Sequence, residues 1–258
     1  MSLIGLDVDA RGVAQLRLTR PEKHNALSAD MMSELEDAAR GLAQDRSVRV
    51  VVLGAEGASF CAGGDLAWMR AQFDMDGATR KAESRRIATV LGALYDLPQP
   101  LIGRVQGNAF GGGIGLISVC DVAVGVTGAK LGLTETRLGL IPANIGPYVL
   151  ARMGATRASE VFMSGRIFDA DEAVRLNLLA RTVAPDDLDD AIDAEVAPYL
   201  MCAPGAVAEA KSLMRDLSGP VTQQQVDASI DALATRWQSE EARDGVGAFF
   251  DKRKPGWQ

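Results

Sequence analysis

The sequence is poor in the residues from which proteins build metal centres and disulfide frameworks. It holds one histidine, His24, and three scattered cysteines, Cys61, Cys120 and Cys202. No CxxC or His-x-x-x-His spacing occurs, so we expect no metal site. Three unpaired cysteines suit a reducing compartment. The N-terminus also lacks the basic region and long apolar core of a secretory signal peptide, and we therefore expect a cytoplasmic protein.

Long apolar runs and positive charge are scarce as well. No apolar run reaches the ~20 residues that a membrane-spanning helix needs. The formal net charge is −7, which gives no electrostatic footprint for nucleic acid or anionic lipid. We therefore expect neither a nucleic-acid nor a membrane partner. The 258 residues are 47% hydrophobic and 24% charged, a composition typical of a globular protein with a sizeable core.

Glycine clusters in two stretches that each follow a predicted strand, at 54–64 and 107–115. Glycine reaches backbone torsions that other residues avoid and lets a ligand approach the main chain closely. The second stretch leads into an apolar run that predicts a buried helix, whose free N–H groups and dipole would bind negative charge. Taken singly, each stretch is equally compatible with a tight turn, and Asp65 with a plain helix N-cap.

One carboxylate has apolar neighbours along the chain in and around the segment TETRLGLIP at 134–142. Glu135 is flanked along the chain by leucines on both sides. If its carboxyl group is desolvated, its pKa rises and it becomes a useful proton carrier near neutral pH. From the pattern alone, an exposed position on a helical turn is the commoner arrangement.

Strands alternate with helices in the first part of the sequence, and the last ~75 residues look helical. This shift predicts a core domain at 1–182 and a helical region at 183–258. The polar stretch 69–82 is expected to be mobile. Predicted strands are 3–9 and 13–19 (a hairpin), 48–53, 101–105, 121–126, 129–133 and 178–182. Predicted helices are one capped by Ser28, then 82–97, 145–153, 157–164, 171–176, 188–200, 206–217, 223–237 and 239–250.

Three motifs together carry a family resemblance: CAGGDL at 61–66, GGGIGL at 111–116 and TETRLGLIP at 134–142. Their order and spacing resemble the enoyl-CoA hydratase/isomerase (crotonase) family over essentially the whole chain. RPEKHNALS at 20–28 and FFDKRKPGW at 249–257 resemble its access loop and C-terminal helix. The resemblance implies an α/β fold, a crotonase (ClpP-like) spiral of ββα units with a C-terminal helical trimerisation region, assembled as a homotrimer or homohexamer.

The resemblance also implies the chemistry. The substrate would be an acyl-CoA thioester, with no separate cofactor because coenzyme A is part of the substrate. The main-chain N–H groups of Gly64 and Gly112 would form an oxyanion hole, and Glu135 would be the acid/base. Losing one such donor typically costs about 10²–10³ in rate. Substrate or CoA contacts are implied for Lys23, Ala26, Leu27, Ala62, Asp65, Leu66, Phe110, Thr134, Leu140, Phe249 and Lys252.

The main departure from the family pattern is Gly115, where two-glutamate hydratases carry their first glutamate. Glu135 would then handle every proton transfer, which fits hydration and also a Δ3,Δ2-enoyl-CoA isomerase. The joint pattern FCAGGDLAWMR, GGGIGL and TETRLGLIPANIGPYVL resembles bacterial hydratases of branched glutaconyl thioesters, such as 3-methylglutaconyl-CoA from leucine breakdown. Arg137 is the nearest cation for a distal carboxylate, and Asn144 is a candidate contact for the acyl tail or a water.

Several other functions stay open at this point. A thioester hydrolase is the weaker one, because Ala143 occupies the position of the aspartate that the 3-hydroxyisobutyryl-CoA hydrolase branch carries. A non-catalytic acyl-CoA-binding paralogue is motivated by Gly115, but Glu135 and both glycine stretches survive together. Trp68 and Met69 could wall the acyl pocket. Hydration of an enoyl-CoA thioester is the function that we favour.

Overall fold

The structure, a computed structural model, describes residues 2–219 and 221–256. Trp257, which ends the predicted C-terminal motif, lies outside the described residues. The strands are β1 Ile4–Val8, β2 Val13–Leu18, β3 Val50–Ala55, β4 Ser59–Cys61, β5 Leu101–Val105, β6 Asn108–Phe110, β7 Val122–Val126, β8 Lys130–Gly132, β9 Ile167–Asp169 and β10 Arg181–Val183. The α-helices are α1 Ala29–Gln44, α2 Leu66–Ala71, α3 Gly77–Tyr95, α4 Gly112–Ser118, α5 Gly146–Phe162, α6 Ala170–Arg175, α7 Leu188–Leu200, α8 Pro204–Ser218, α9 Gln223–Arg236 and α10 Glu240–Phe250.

The strands form two sheets, and chain order alternates between them. The larger sheet has the order β1-β2-β3-β5-β7-β10, and the smaller has the order β4-β6-β8-β9. The pairs β3–β4, β5–β6 and β7–β8 each send one strand to the large sheet and the next to the small one, and a helix follows. Successive ββα units therefore build a spiral, as predicted. Strand β3 is buried along its whole length, which explains its unbroken apolar sequence.

Several predicted elements are confirmed. β1 and β2 pair as an antiparallel hairpin. The hydroxyl of Ser28 accepts a hydrogen bond from the amide of Met31 and caps α1. The helical prediction for the C-terminal part is also confirmed, since the residues that the structure describes after β10 contain helices and turns. The proposed domain boundary after residue 182 stays a prediction.

Other predictions are wrong. The helix predicted at 82–97 begins five residues earlier, at Gly77 with Asp76 as its N-cap, and α2 occupies the start of the stretch 69–82, for which no helix was predicted. By contrast, the break expected between helices 145–153 and 157–164 is confirmed, because Gly154 has non-helical torsions (φ 72°, ψ 153°) that divide α5 into two helical pieces. The last strand lies at Arg181–Val183 rather than 178–182. Strands β4, β6 and β9 were missed, because three residues are too few to show an alternating pattern.

The C-terminal helices are attached to the core in two ways. α8 is held by Lys211, whose ammonium group donates to Asp121 Oδ2 at 2.5 Å and to the carbonyl of Gln99 at 2.8 Å. α9 and α10 share a second apolar cluster with the segment that follows Glu135; its buried members are Leu140, Ala143, Leu233, Trp237, Ala242 and Val246. The helical region thus packs on the segment that carries the predicted catalytic residue. Among the described residues, no helix is both long and apolar enough to cross a membrane.

Candidate functional site

A cavity of about 520 Å³ brings most of the predicted site together. Its wall is contributed by the two glycine bends, by α2 and α3, by the segment 134–145 and by α9 and α10. Nine of the predicted site residues line it: Ala62, Gly64, Leu66, Phe110, Gly112, Thr134, Glu135, Leu140 and Phe249.

The first glycine bend lies between β4 and α2 and is fixed by the main chain of Leu27. The Leu27 amide donates to the carbonyl of Gly63 at 2.8 Å, and the Asp65 amide donates to the carbonyl of Leu27 at 3.0 Å. Gly63 has φ +95°, a conformation that requires glycine. Between these two hydrogen bonds, the Gly64 amide finds no acceptor within the described part of the chain. Gly64 therefore presents a free N–H group beside the cavity.

The second glycine bend opens α4 and rests directly on the first. Gly111 is the N-cap of α4, with φ +48°, and its amide donates to the carbonyl of Gly132 at 3.0 Å. A Cβ atom at Gly113 would lie 2.5 Å from the carbonyl oxygen of Cys61, so only glycine allows this approach. Gly112 is the first residue of α4, where N–H groups have no partner inside a helix. Both bends thus offer main-chain donors to one cavity.

The Glu135 carboxyl group lies beside the second glycine bend. Its Oε1 atom is 3.1 Å from the position that a Cβ atom would take at Gly111. The residue as a whole is partly exposed, but its Oε2 atom is buried and has no hydrogen-bond partner among the described residues. Burial raises the pKa of Glu135 to about 7, against a smaller opposing effect of its own main-chain amide. The exposed arrangement that the pattern alone favoured is therefore wrong for this carboxyl group.

Gly115 faces apolar side chains. A Cβ atom there would lie 2.6 Å from Cγ2 of Ile145 and 3.0 Å from Cδ1 of Leu91. These two residues fill the space that a side chain at position 115 would need. Among the described residues that line the cavity, Glu135 carries the one carboxyl group. Gly115 is thus an integral part of the packing around Ile145 and Leu91.

Five predicted contact residues do not line the cavity: Lys23, Ala26, Leu27, Asp65 and Lys252. Lys23 and Lys252 are exposed, whereas Ala26 and Leu27 are buried behind the first bend. Their contacts with coenzyme A stay predictions.

Asp65 is the N-cap of α2. Its Oδ1 atom accepts from the amides of Ala67 at 2.8 Å and Trp68 at 3.2 Å, and Arg20 donates to its Oδ2 atom at 2.8 Å. Burial alone would raise the pKa of Asp65, but these hydrogen bonds outweigh it and hold that pKa below its usual value. The structure thus confirms the plain N-cap interpretation and leaves the expected CoA contact a prediction.

The cavity also contains residues that the sequence only suggested or did not reveal. Trp68, Met69, Arg137 and Asn144, which were candidates, all line it. The residues that were missed come from helices whose apolar spacing indicates only a core-facing side; they include Ser84, Ile87, Leu233 and Trp237.

Two other kinds of reactive group, a cysteine nucleophile and a metal ion, were considered among the described residues. Burial raises the pKa of the Cys61 thiol to about 12, so this cysteine is a structural thiol and not a nucleophile. Among residues 2–219 and 221–256, no group of three or more histidine, cysteine or acidic side chains could hold a metal ion. The arrangement combines main-chain donors with one desolvated carboxyl group, which suits the stabilisation of an oxyanion and the transfer of a proton.

Comparison with known proteins identifies the family. The enoyl-CoA hydratase/isomerase family matches residues 9–258. The crystal structure of an enoyl-CoA hydratase from Mycobacterium avium is 32% identical, with a TM-score of 0.88 and 100% of both chains covered. An enoyl-CoA hydratase from Mycobacterium smegmatis is 36% identical, with a TM-score of 0.81 and 100% and 99% coverage. The chain belongs to the enoyl-CoA hydratase/isomerase family.

Two named relatives indicate the range of substrates within the family. The crotonyl-CoA hydratase of Syntrophomonas wolfei is 28% identical over 244 residues, which cover 94% of this chain and 93% of that protein. The mitochondrial methylglutaconyl-CoA hydratase of mouse is 32% identical over 188 residues, which cover 72% of this chain and 59% of that protein. The predicted fold and the predicted class, an enzyme of the hydro-lyase type in a family that also contains isomerases, are confirmed.

Proposed function

We propose that this protein adds water across the C2=C3 bond of an enoyl-CoA thioester, with Glu135 as its only acid/base. The observation that carries the proposal is the position of the Glu135 carboxyl group, which lines one cavity together with Gly64 and Gly112. The main-chain N–H groups of these two glycines form the oxyanion hole. The remaining wall is largely apolar, as an acyl chain requires.

The proposed reaction has two linked proton transfers. The Glu135 carboxylate removes a proton from water while the water oxygen bonds to C3, and the π electrons move onto the thioester oxygen. The Gly64 and Gly112 amides, which belong to the two bends that line the cavity, stabilise this enolate by donating hydrogen bonds to its oxygen. The protonated Glu135 then delivers the proton to C2 and the thioester carbonyl re-forms. The net change is the addition of one water molecule, with the carboxylate regenerated.

The pKa of Glu135 suits both halves of this cycle. A group with a pKa of about 7 is present in both protonation states near neutral pH. It is therefore a stronger base than an exposed glutamate and remains acidic enough to return the proton. Because its pKa is raised by burial, this property depends on the apolar wall that surrounds the carboxyl group.

The acyl group of the proposed substrate is a short, branched glutaconyl type. Two observations support it: the likeness to mouse methylglutaconyl-CoA hydratase, and Arg137, which is the one cationic side chain among the described residues lining the cavity. Arg137 is exposed, so the carboxylate would meet it at the cavity mouth. Arg137→Met should then raise KM for a glutaconyl thioester and leave KM for crotonyl-CoA unchanged. Equal effects on both thioesters would rule out this role.

Δ3,Δ2-enoyl-CoA isomerisation is the second candidate, and the single carboxylate favours it. Isomerisation removes a proton from C2 and returns a proton to C4, so the double bond moves from C3=C4 to C2=C3 and no water is needed. With Ile145 filling the space beside Gly115, the described residues that line the cavity include no second carboxyl group to help bind water. A 3-enoyl-CoA substrate separates the two functions, because an isomerase converts it to the conjugated 2-enoyl form without hydration.

We also infer a homotrimer or homohexamer in solution. Large apolar side chains are exposed on α8, and they include Leu213 at 57%, Met214 at 56% and Leu217 at 80% exposure. Such side chains on one helix are typical of an interface between subunits. Light scattering coupled to size-exclusion chromatography would test this, and a monomer at micromolar concentration would contradict it.

The decisive experiment is a panel of straight, branched and carboxylated acyl-CoA thioesters, assayed with the wild type and with Glu135→Gln. Hydration is followed as the loss of absorbance of the conjugated enoyl thioester. We expect hydration by the wild type and its near-complete loss in the variant. If Glu135→Gln kept the full rate, Glu135 would not be the acid/base. If the wild type hydrated none of the panel, a binding paralogue would be favoured.

A further inference from the structure

Two buried oxygen atoms of the cavity wall have no hydrogen-bond partner. In residues 2–219 and 221–256, unpartnered buried side-chain atoms occur on Gln72, Gln99, Gln106, Glu135 and Asn144. Of these residues, Glu135 and Asn144 are the two that line the cavity. An unpaired buried polar group costs about 1–3 kcal/mol, so native structures satisfy nearly all of them with protein atoms or ordered water. We therefore expect a bound ligand to donate hydrogen bonds to these two oxygens, Oε2 of Glu135 and Oδ1 of Asn144.

Asn144 is held in a tight turn that ends at α5. The amide of Ala143 donates to the carbonyl of Ile141 at 2.8 Å, and the amide of Gly146 donates to the carbonyl of Ala143 at 3.1 Å. The residue is 7% exposed, and its neighbours Ala143 and Ile145 are buried apolar residues. Its carboxamide is thus a polar group in an otherwise apolar part of the wall, fixed by the main chain on both sides.

We propose that Asn144 and Glu135 together hold the water molecule that is added to the substrate. This inference rests on the hydration proposed above. A carboxylate oxygen and a carboxamide oxygen both accept hydrogen bonds, and a thioester carbonyl is also an acceptor, so the substrate carbonyl cannot satisfy either of them. A water molecule has two O–H donors and can donate one to each. Its lone pairs then remain free to attack C3.

The division of labour follows from the chemistry of the two side chains. Glu135 takes one proton of the water as the C3–O bond forms, and later transfers that proton to C2. Asn144 does not exchange a proton; it holds the second O–H group and fixes the direction of the lone pair. In this way Asn144 supplies the second contact to water in a cavity where the position of Gly115 is closed by Ile145 and Leu91.

The kinetic test is Asn144→Leu, which keeps the size of the side chain and removes its polar atoms. We expect kcat for hydration to fall about 100-fold, because a misdirected nucleophile costs this much, with KM unchanged. The matched control is Gln72→Leu, which makes the same change at a buried carboxamide that also lacks hydrogen-bond partners among the described residues but does not line the cavity; it should leave kcat unchanged. Thermal unfolding of both variants checks the fold. An unchanged kcat in Asn144→Leu, or a loss carried by KM for substrates with polar tails, would overturn the inference.

A high-resolution crystal structure gives a second test that does not depend on activity. We expect an ordered water within about 3.2 Å of both the Glu135 carboxyl group and the Asn144 carboxamide, and its loss in Asn144→Leu. An Asn144 side chain bonded to another protein group would overturn the inference. If the water were present but the wild type hydrated no thioester, the proposed function would fail while the water site itself stood.

Discussion

Asp121 and Glu135 are both partly buried, but their carboxyl groups have different surroundings. Asp121 accepts from the amide of Leu101 at 2.7 Å, from the ammonium group of Lys211 at 2.5 Å and from Arg215 at 3.5 Å. Glu135 has a buried Oε2 atom with no partner in the described part of the chain. The first carboxylate ties α8 to the core, and the second faces a cavity.

The two regions differ in how the desolvation of the buried carboxylate is compensated. Around Asp121, opposite charges offset the cost of desolvation. Lys211 is desolvated as well, and burial lowers the pKa of Lys211 despite the neighbouring Asp121. Around Glu135 the smaller effect of its own main-chain amide does not balance desolvation, so the pKa of Glu135 rises to about 7. A buried carboxylate with partners stabilises the fold, whereas one without partners is poised to exchange a proton.

The largest expected effect is the loss of catalysis in Glu135→Gln. Removing a positioned acid/base lowers kcat by about 10²–10⁴, and the amide keeps the shape of the side chain, so the fold should persist. Enoyl-CoA hydration assays measure the first effect and circular dichroism checks the second. A variant that unfolded instead would show that Glu135, like Asp121, is a structural carboxylate.

The reverse outcome is expected for Asp121→Ala, because it removes the carboxylate that the buried Lys211 ammonium group and the partly buried Arg215 share. Breaking a buried ion pair costs about 3–5 kcal/mol of unfolding free energy, which urea denaturation measures. The control adds Lys211→Met to the same variant and should recover part of the loss. The kcat of the folded fraction should equal that of the wild type; a large drop would mean that the two regions are coupled.

The pH dependence of the free energy of unfolding tests the raised pKa of Glu135. Between pH ~4.5 and 7, folded Glu135 keeps a proton that the unfolded chain has released, so stability falls as pH rises through this window. A pKa of about 7, against the ordinary glutamate value of 4.5, corresponds to roughly 3 kcal/mol lost by pH 8. Glu135→Gln should lack this loss and gain stability relative to the wild type above pH 7. Parallel pH curves for the two proteins would contradict the raised pKa.

The smallest expected effect concerns the glycine that closes the site to a second carboxylate. Gly115→Ala pushes a methyl group against Ile145 and should destabilise the protein by about 1–3 kcal/mol. Gly41 on α1 offers a matched control, since a Cβ atom there meets nothing within 4 Å, and Gly41→Ala should be neutral or stabilising. Equal unfolding midpoints for the two variants would show that the packing at Gly115 is loose.

Much of the site was predictable, but only where a short motif carried it. Gly64, Gly112 and Glu135 were identified from their motifs, and the cavity brings all three together. Ser84 and Trp237 were not, because helical periodicity shows which side of a helix is buried and not what that side packs against. The helical turns within 69–82 were missed for a related reason: their polar residues belong to α2 and α3, which are capped by Asp65 and Asp76.

The sequence by itself determined the alternation of strands and helices, the two glycine bends and the presence of a carboxylate in apolar company. These are local properties of composition and spacing. Only the tertiary structure decided that the Glu135 carboxyl group is desolvated, that Ile145 fills the space beside Gly115, and that Asn144 shares the cavity. Desolvation and unpaired hydrogen-bonding atoms depend on neighbours far away in sequence, including α9 and α10, and those neighbours are set by packing rather than by any local pattern.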